Sequence, residues 1–294
     1  MIRYEITASE LKQRIRDARA TWFTRAAKAL QELPDAPKSA EFKGLWSEIK
    51  AVYTKLQHSK CAFCEKPLEN AIEQDVEHFR PKAEVVRWTP PQDLIDEGIV
   101  VKQRSDGSKE LGYRFLAYHP FNYVVSCKNC NTIFKGNFFP IGKSRKSQAK
   151  RPPADSTEEP FLIYPLGDAD ENPEALITFE GISPMALPAS GRGRLRALVT
   201  IAIFKLGDPI ERKTFFQERA RAIERLFFAL EAIAANVSTG SVHQAQAAVH
   251  RCIQPSSPFA SCLRCFRRLY EHSQVEARQI YDDIAVFLDS FSPA

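Results

Sequence analysis

The sequence predicts an α+β protein in which a small metal-binding module lies between two helical regions. Two observations predict this organisation. A pair of Cys-x-x-Cys motifs encloses a short stretch with strand and turn residues, whereas the sequence on either side has apolar residues at helical spacing. The expected units are an N-terminal helical segment, the module, and a linker with a mainly helical C-terminal region, at residues 1–58, 59–142 and 143–294.

Composition limits the functions that the chain can have. Its 294 residues are 44% hydrophobic, which predicts a globular protein with a real core. No apolar run approaches the roughly 20 residues needed to span a bilayer, and the N-terminus lacks the apolar core of a signal peptide. We therefore expect a cytoplasmic protein with no membrane partner. The net charge of +5 permits a polyanionic partner such as nucleic acid without requiring one.

Two helices are predicted in the N-terminal segment. The first covers residues 8–32, because Thr7 and Glu10 have the spacing of a capping box and apolar residues follow at helical intervals. The second runs from about residue 39 to 57. Its apolar face consists of Phe42, Trp46, Ile49, Val52, Tyr53 and Leu56. Amphipathic helices of this kind are typical of packing rather than of ligand binding.

The two cysteine pairs, Cys61/Cys64 and Cys127/Cys130, predict a structural zinc site. In a reducing compartment, metal binding explains such pairs better than disulfides do. Four thiolates form a closed tetrahedral site, which leaves no position for a catalytic water. The zinc is therefore expected to hold the module together rather than to take part in chemistry.

A strand and a helix are predicted between these cysteines. Residues 72–79 form the strand, and a proline two residues further on ends it close to the step from Glu77 to His78. Both side chains can then be aimed at one point. The pattern becomes helical from Asn122 and places Asn131 inside a helix, where asparagine is unfavourable. Such local conflicts are expected where a side chain serves a functional site.

An insertion separates the strand from the helix. Residues 99–104 and 111–116 are predicted to form a β-hairpin, because they flank the turn sequence Ser105-Asp-Gly-Ser108. The hairpin is either decoration or a flap that contacts substrate.

Three motifs in this region resemble the His-Asn-His (HNH) endonuclease family with its ββα-metal fold: Asp75-Val-Glu-His78, Asn122, and Cys127-x-x-Cys130-Asn131-x-x-x-Lys135. The resemblance covers about residues 60–140. Two further motifs, Glu77-His-Phe-Arg-Pro-Lys82 and Lys135-Gly-Asn-Phe-Phe-Pro140, are most similar to the nuclease subunit of Septu-type anti-phage systems. Retron-linked effectors carry similar nucleases.

The HNH resemblance implies a role for each matching residue. His78 matches the general base, and Glu77 and Asn131 match ligands of a catalytic Mg²⁺ or Mn²⁺. Asn122 matches the middle asparagine, which holds the loop that carries the base. Many members have aspartate at the position of Glu77, so Asp75 could share the role of metal ligand. Many members also have histidine at the position of Asn131.

The resemblance also implies a substrate and a partner. The substrate is nucleic acid, with DNA favoured over RNA, and Arg80, Lys82 and Lys135 are candidate phosphate contacts with plain surface charge as the alternative. The Septu-type resemblance implies an ATPase subunit that works with this chain, docked by the flanking helices.

Helices dominate the predicted C-terminal region, at residues 194–206, 208–236, 242–252 and 259–289. Short strands are expected before them, at residues 161–165 and 175–180. The region has three further cysteines, Cys252, Cys262 and Cys265. Buried apolar thiols are the default interpretation, and a second metal site is the alternative.

Two other functions remain open from the sequence. The first is a non-catalytic zinc-ribbon adaptor that binds nucleic acid or protein, for which the zinc thiolates would matter and His78 would not. The second is a zinc hydrolase with water on the metal, which would require one of the four thiolates not to bind.

Overall fold

The computed structural model describes residues 1–104, 109–152, 157–236 and 238–290. The α-helices in this part of the chain are α1 Ala8–Ala18, α2 Trp22–Gln31, α3 Lys50–Leu56, α4 Gln92–Asp96, α5 Pro173–Leu176, α6 Gly191–Ile203, α7 Lys213–Ala235, α8 Thr239–Cys252, α9 Ala260–His272 and α10 Gln274–Asp289. The strands are β1 Asp75–His78, β2 Glu84–Val85, β3 Glu110–Leu111, β4 Tyr123–Ser126, β5 Ile177–Glu180 and β6 Ser183–Ala186. They pair antiparallel as three two-stranded sheets, β1–β4, β2–β3 and β5–β6. This mixture of helices and small sheets confirms the α+β class.

The N-terminal segment contains more breaks than predicted. The single helix expected over residues 8–32 is wrong: α1 ends at Ala18, and an extended Arg19 turns the chain before α2 begins. The predicted capping box is present, since the Thr7 hydroxyl accepts from the Glu10 N–H at 3.2 Å. The helix expected over 39–57 is also wrong in extent, because two 3₁₀ turns precede the short α3.

A two-stranded sheet forms the centre of the module. β1 and β4 pair in a register that sets His78 opposite Tyr123. The helical pattern predicted from Asn122 onward is therefore wrong for β4, whose sequence, Tyr-Val-Val-Ser, is buried throughout and favours a strand. The helix begins later, at Asn129, and is a π-helix that ends at Lys135. Such π-helical turns are often found at functional sites.

The predicted hairpin in the insertion is wrong. Residues 99–104 form no strand, and β3 pairs with β2 instead. The chain is held at this position by Gly112, whose N–H donates to the Ala83 carbonyl at 2.9 Å. A Cβ at Gly112 would lie 2.6 Å from the Pro81 oxygen, so only glycine permits this close approach. The predicted turn Ser105-Asp-Gly-Ser108 lies outside the described residues.

The C-terminal region is mainly helical, as predicted. The helix expected over 259–289 is broken at Ser273, whose hydroxyl caps α10 by accepting from the Glu276 N–H at 3.3 Å. Residues 161–165 are buried but form no regular strand, and of residues 175–180 only β5 does. In the described part of the chain, none of the helices combines the length and the apolarity that crossing a bilayer demands.

One apolar core is shared by the three predicted units. It contains Leu11 from the N-terminal segment, Phe63 from the module and Phe204 from the C-terminal region. The rings of Phe63 and Phe204 are stacked with centroids 4.0 Å apart. The module therefore packs directly on the C-terminal helices.

Candidate functional site

The four cysteines predicted to bind zinc lie together. Their Sγ atoms are all within 4.8 Å of one another and all four residues are buried, and the Sγ atoms of Cys64 and Cys127 are 3.8 Å apart. A zinc tetrahedron with Zn–S bonds of about 2.3 Å has S···S edges of about 3.8 Å, so this arrangement could hold a zinc ion. Burial raises the pKa of Cys61 and of Cys130, and a cation bound between the four sulfurs would favour their thiolate forms.

Two parts of the module position these cysteines. Cys61 and Cys64 lie in a tight knuckle after α3, closed by a hydrogen bond of 2.9 Å from the Cys61 N–H to the Lys66 carbonyl. Cys127 directly follows β4, and Cys130 lies in the π-helix. A zinc ion bound here would join the knuckle, the central sheet and the π-helix.

The second cysteine group forms no comparable cluster. Among the described residues, the four zinc cysteines are the one group of three or more Cys, His, Asp or Glu ligands found close enough to share an ion. Cys262 and Cys265 are buried, with the Cys262 thiol 3.3 Å from the Gly181 carbonyl oxygen, and Cys252 is half-buried. The alternative of a second metal site is thus not found in this part of the chain.

Asn122 joins three pieces of backbone. It is fully buried, its Oδ1 accepts from the Arg80 N–H at 2.8 Å, and its Nδ2 donates to the carbonyls of Arg80 at 3.0 Å and Leu116 at 3.1 Å. These bonds fix the loop that follows His78. This is the geometry that the role expected for the middle asparagine would need.

Replacing Asn122 with alanine is expected to lower the free energy of unfolding by about 3 kcal/mol, because it leaves buried backbone groups without partners. Urea titration of the two proteins measures the difference. The exposed Asn137 provides a matched control, since Asn137→Ala should leave the midpoint unchanged. An equal midpoint for Asn122→Ala would contradict this account of the loop.

His78 is buried, at 7% exposure, and its ring is held from two sides. Its Nε2 lies 3.1 Å from the Ala117 carbonyl oxygen, and its ring centroid lies 4.6 Å from that of Trp46 and 5.1 Å from that of Tyr123. Because a carbonyl oxygen only accepts, Nε2 carries the proton and Nδ1 keeps its lone pair. Burial, together with the charge of Lys82, lowers the pKa of His78 well below its usual value, so the ring is neutral at physiological pH.

Glu77 is paired with a lysine rather than left open. The Lys135 ammonium is fully buried and donates to the Glu77 carboxylate, to the His78 carbonyl at 3.2 Å and to the Gly136 carbonyl at 3.4 Å. Burial raises the pKa of Glu77, although the charge of Lys135 acts in the opposite direction. The pair connects β1 to the end of the π-helix.

Asn131 lies beside Asp75. Its Nδ2 is 3.3 Å from Asp75 Oδ2, and both side chains are half-buried. Asp75 and Glu77 are two residues apart on β1, so they share one face of the strand. Within the described residues, no hydrogen bond joins the side chain of His78 to that of Glu77 or Asn131.

The three candidate phosphate contacts have different surroundings. Lys135 is enclosed, and Arg80 is only 4% exposed, with its Nε 3.5 Å from Glu158 and its guanidinium over the Phe139 ring. Because both residues have buried protein partners, the alternative of plain surface charge does not describe them, and their contact with phosphate stays a prediction. Lys82 is half-buried and lies 4.8 Å from the Trp46 ring. Its charge opposes the burial that raises the pKa of Glu77 and adds to the burial that lowers the pKa of His78, so Lys82 lies close to both groups.

Sequence reasoning missed three residues around these groups. Trp46 packs on His78, Glu158 lies opposite Arg80, and Arg212 bonds to Cys130. All three are distant in sequence from their partners. Neither the spacing of charged residues nor the position of an aromatic residue in the sequence indicates a contact with a distant residue.

Comparison with known proteins gives one limited similarity. The chain is 32% identical over 120 residues to the Septu protein PtuB of Bacillus mycoides (strain KBAB4), which covers 41% of this chain and 35% of that protein. The chain thus matches about a third of the length of this relative. No family model matches the chain, and no solved structure matches it.

Proposed function

We propose that this chain is a metal-dependent endonuclease of the HNH type that hydrolyses nucleic-acid phosphodiester bonds in anti-phage defence. The observation that carries the proposal is the state of His78. It is a buried imidazole with Nε2 on a carbonyl and, among the described residues, no hydrogen-bond partner on Nδ1, and burial lowers its pKa. The HNH motifs of the sequence and the similarity to a Septu protein support the same proposal.

In the proposed reaction His78 acts as the general base. Its Nδ1 takes a proton from the attacking water, and the Ala117 carbonyl holds the ring and stabilises the imidazolium that forms. Asn122 keeps the supporting loop in place through its three backbone bonds. The half-buried Lys82 is the candidate contact to a phosphate oxygen. A divalent cation held at the site would stabilise the negative charge on the phosphate and on the leaving oxygen.

Asp75 and Asn131 are the residues that fit this cation best. A carboxylate and an amide oxygen are the hard ligands that Mg²⁺ and Mn²⁺ prefer, and a rotation of the Asn131 amide would turn its Oδ1 toward Asp75. Glu77, which the HNH resemblance makes a ligand, is already neutralised by Lys135. We therefore propose Asp75 with Asn131 as the main ligand pair and Glu77 as a support.

Asp75→Asn and Glu77→Gln are expected to separate these roles. Asp75→Asn should raise the Mg²⁺ concentration for half-maximal cleavage at least about tenfold, with little change in stability. Glu77→Gln leaves the buried Lys135 ammonium without a carboxylate counter-charge, so it should lower the free energy of unfolding by about 3–5 kcal/mol. Metal titration of cleavage and urea unfolding measure the two effects.

The double variant Glu77→Gln/Lys135→Met is the control for this pair. It removes both charges, and we expect most of the lost stability to return. The assignment would be overturned if Glu77→Gln changed the Mg²⁺ requirement more than Asp75→Asn did while stability stayed unchanged.

The substrate and partner follow from the same proposal. We propose DNA rather than RNA as the substrate and an ATPase subunit as the partner, because the module resembles Septu-type nucleases. The test is to purify the chain alone and with its genomic neighbour, and to incubate each sample with DNA or RNA and Mg²⁺ or Mn²⁺ beside the His78→Ala variant. Metal-dependent cleavage lost in the variant supports the function, and no cleavage in any sample counts against it.

A non-catalytic zinc-ribbon adaptor is the second candidate function. It is favoured by the Glu77–Lys135 pair, which is satisfied without any cation. On this alternative, His78, Glu77 and Asn131 can be replaced without loss of nucleic-acid or protein binding, whereas the zinc cysteines cannot. Binding assays on these variants distinguish it from the nuclease.

A further inference from the structure

A buried arginine from the C-terminal region lies against the four-cysteine cluster. Arg212 directly precedes α7 and is 5% exposed. Its Nη2 donates to Cys130 Sγ at 3.1 Å and to the Phe204 carbonyl at 2.6 Å, which uses both hydrogens of that amino group. The guanidinium also lies over the Phe134 ring, 4.4 Å from its centroid.

The negative charge of a zinc-loaded cluster explains why a buried arginine would lie against it. Four thiolates and one Zn²⁺ have a net charge of −2, and a buried net charge is costly without a compensating group. Within the module, the Cys130 N–H already donates to Cys127 Sγ at 3.5 Å, but it carries no net charge. Arg212 brings a full positive charge and a charge-assisted hydrogen bond to the sulfur.

We propose that Arg212 is a positioning residue of the zinc site, so that the C-terminal region completes a metal centre whose four ligands all lie in the module. The guanidinium fixes the orientation of Cys130 and places a positive charge beside its sulfur, as outer partners do for other metal ligands. This inference concerns zinc alone and stands whether or not the chain is a nuclease.

A purely structural role for Arg212 makes a different prediction. The bond to Phe204 closes the turn between α6 and α7, and its loss would destabilise the protein without a specific effect on zinc. Arg219, about two turns further along α7, is the matched comparison. It is 2% exposed, donates to the Ile182 carbonyl and lies 4.0 Å over the Phe215 ring, with no hydrogen bond to the cluster among the described residues.

The experiment compares Arg212→Met and Arg219→Met in the full chain. Zinc affinity is measured by competition with a chromophoric chelator, and the thiolate-to-cobalt charge-transfer band is recorded after Co²⁺ substitution. We expect Arg212→Met to weaken zinc about 10–100-fold and to shift the band to longer wavelength, because a sulfur without its hydrogen bond gives up electrons more easily. Arg219→Met should leave the band unshifted and should weaken zinc less than Arg212→Met does, because the charge of Arg219 acts on Cys64 without a hydrogen bond to the cluster. Both variants should lose thermal stability.

Two results would overturn the proposal: equal zinc affinity in Arg212→Met and the wild type, or equal losses of zinc in both variants with an unshifted cobalt band. Arg212→Lys covers the case in which Arg212→Met does not fold. It keeps the charge but cannot reproduce the guanidinium geometry, so we expect a smaller band shift in the same direction. A wild-type band in a folded Arg212→Lys protein would also overturn the proposal.

Discussion

Replacing Cys130 with serine is expected to remove the bound zinc and to prevent stable folding of the chain. Cys130 is completely buried, and its thiol is one of four that could surround the ion. Structural zinc contributes about 10–16 kcal/mol in small domains, which is comparable with the whole stability of about 5–15 kcal/mol of a typical protein. The measurements are zinc content of the purified protein and its thermal unfolding by circular dichroism.

Cys252→Ser is the control for this variant. Cys252 is half-buried on α8 and lies outside the four-cysteine cluster, so its replacement should leave one zinc per chain and an unchanged melting temperature. If Cys130→Ser kept both its zinc and its melting temperature, the four cysteines would not be a structural metal site, and the expected connection between knuckle and π-helix would fail with it.

His78→Ala should abolish nucleic-acid cleavage, with a loss of at least about 10²–10⁴-fold, the usual contribution of a general base. The fold should survive, because the Ala117 carbonyl that bonds to His78 also accepts from the Tyr123 hydroxyl. His78→Gln fills more of the space and should be equally inactive. Cleavage rates, zinc content and melting temperature are measured together.

The matched control for the base is His243, an exposed histidine on α8. His243→Ala should retain full activity, zinc and stability. Cleavage at wild-type rates by both His78 variants would exclude His78 as the base and would favour the adaptor function. Loss of zinc in His78→Ala would instead show that the ring is needed for the fold of the module.

Local patterns predicted some features of the site well. The spacing within each Cys-x-x-Cys motif brings its own two sulfurs together, and the presence of two such motifs predicts the four-sulfur cluster that the structure contains. The capping box at Thr7 is a contact between residues three apart, and the structure contains it. Asn122 was singled out from a motif, and its three backbone bonds have the expected form.

Features that depend on distant contacts could not be predicted. The sequence pattern predicts a helix at β4 because it continues into the π-helix that follows, whereas the strand depends on pairing with β1, about 50 positions away. The predicted hairpin of residues 99–104 and 111–116 is wrong because β3 pairs with β2, and the close backbone approach at Gly112 accompanies this pairing. The burial of Lys135 depends on where β1 places Glu77, which periodicity does not encode.

The pairing of Glu77 with Lys135 gives the protein a built-in counterion. The strand and the helix stay joined by this internal cation whether or not a divalent ion arrives, so the two metals expected here have separate consequences. Removal of zinc should therefore unfold the protein. A fall in free magnesium should leave the protein folded and should only stop the proposed cleavage, which should return when the ion is restored.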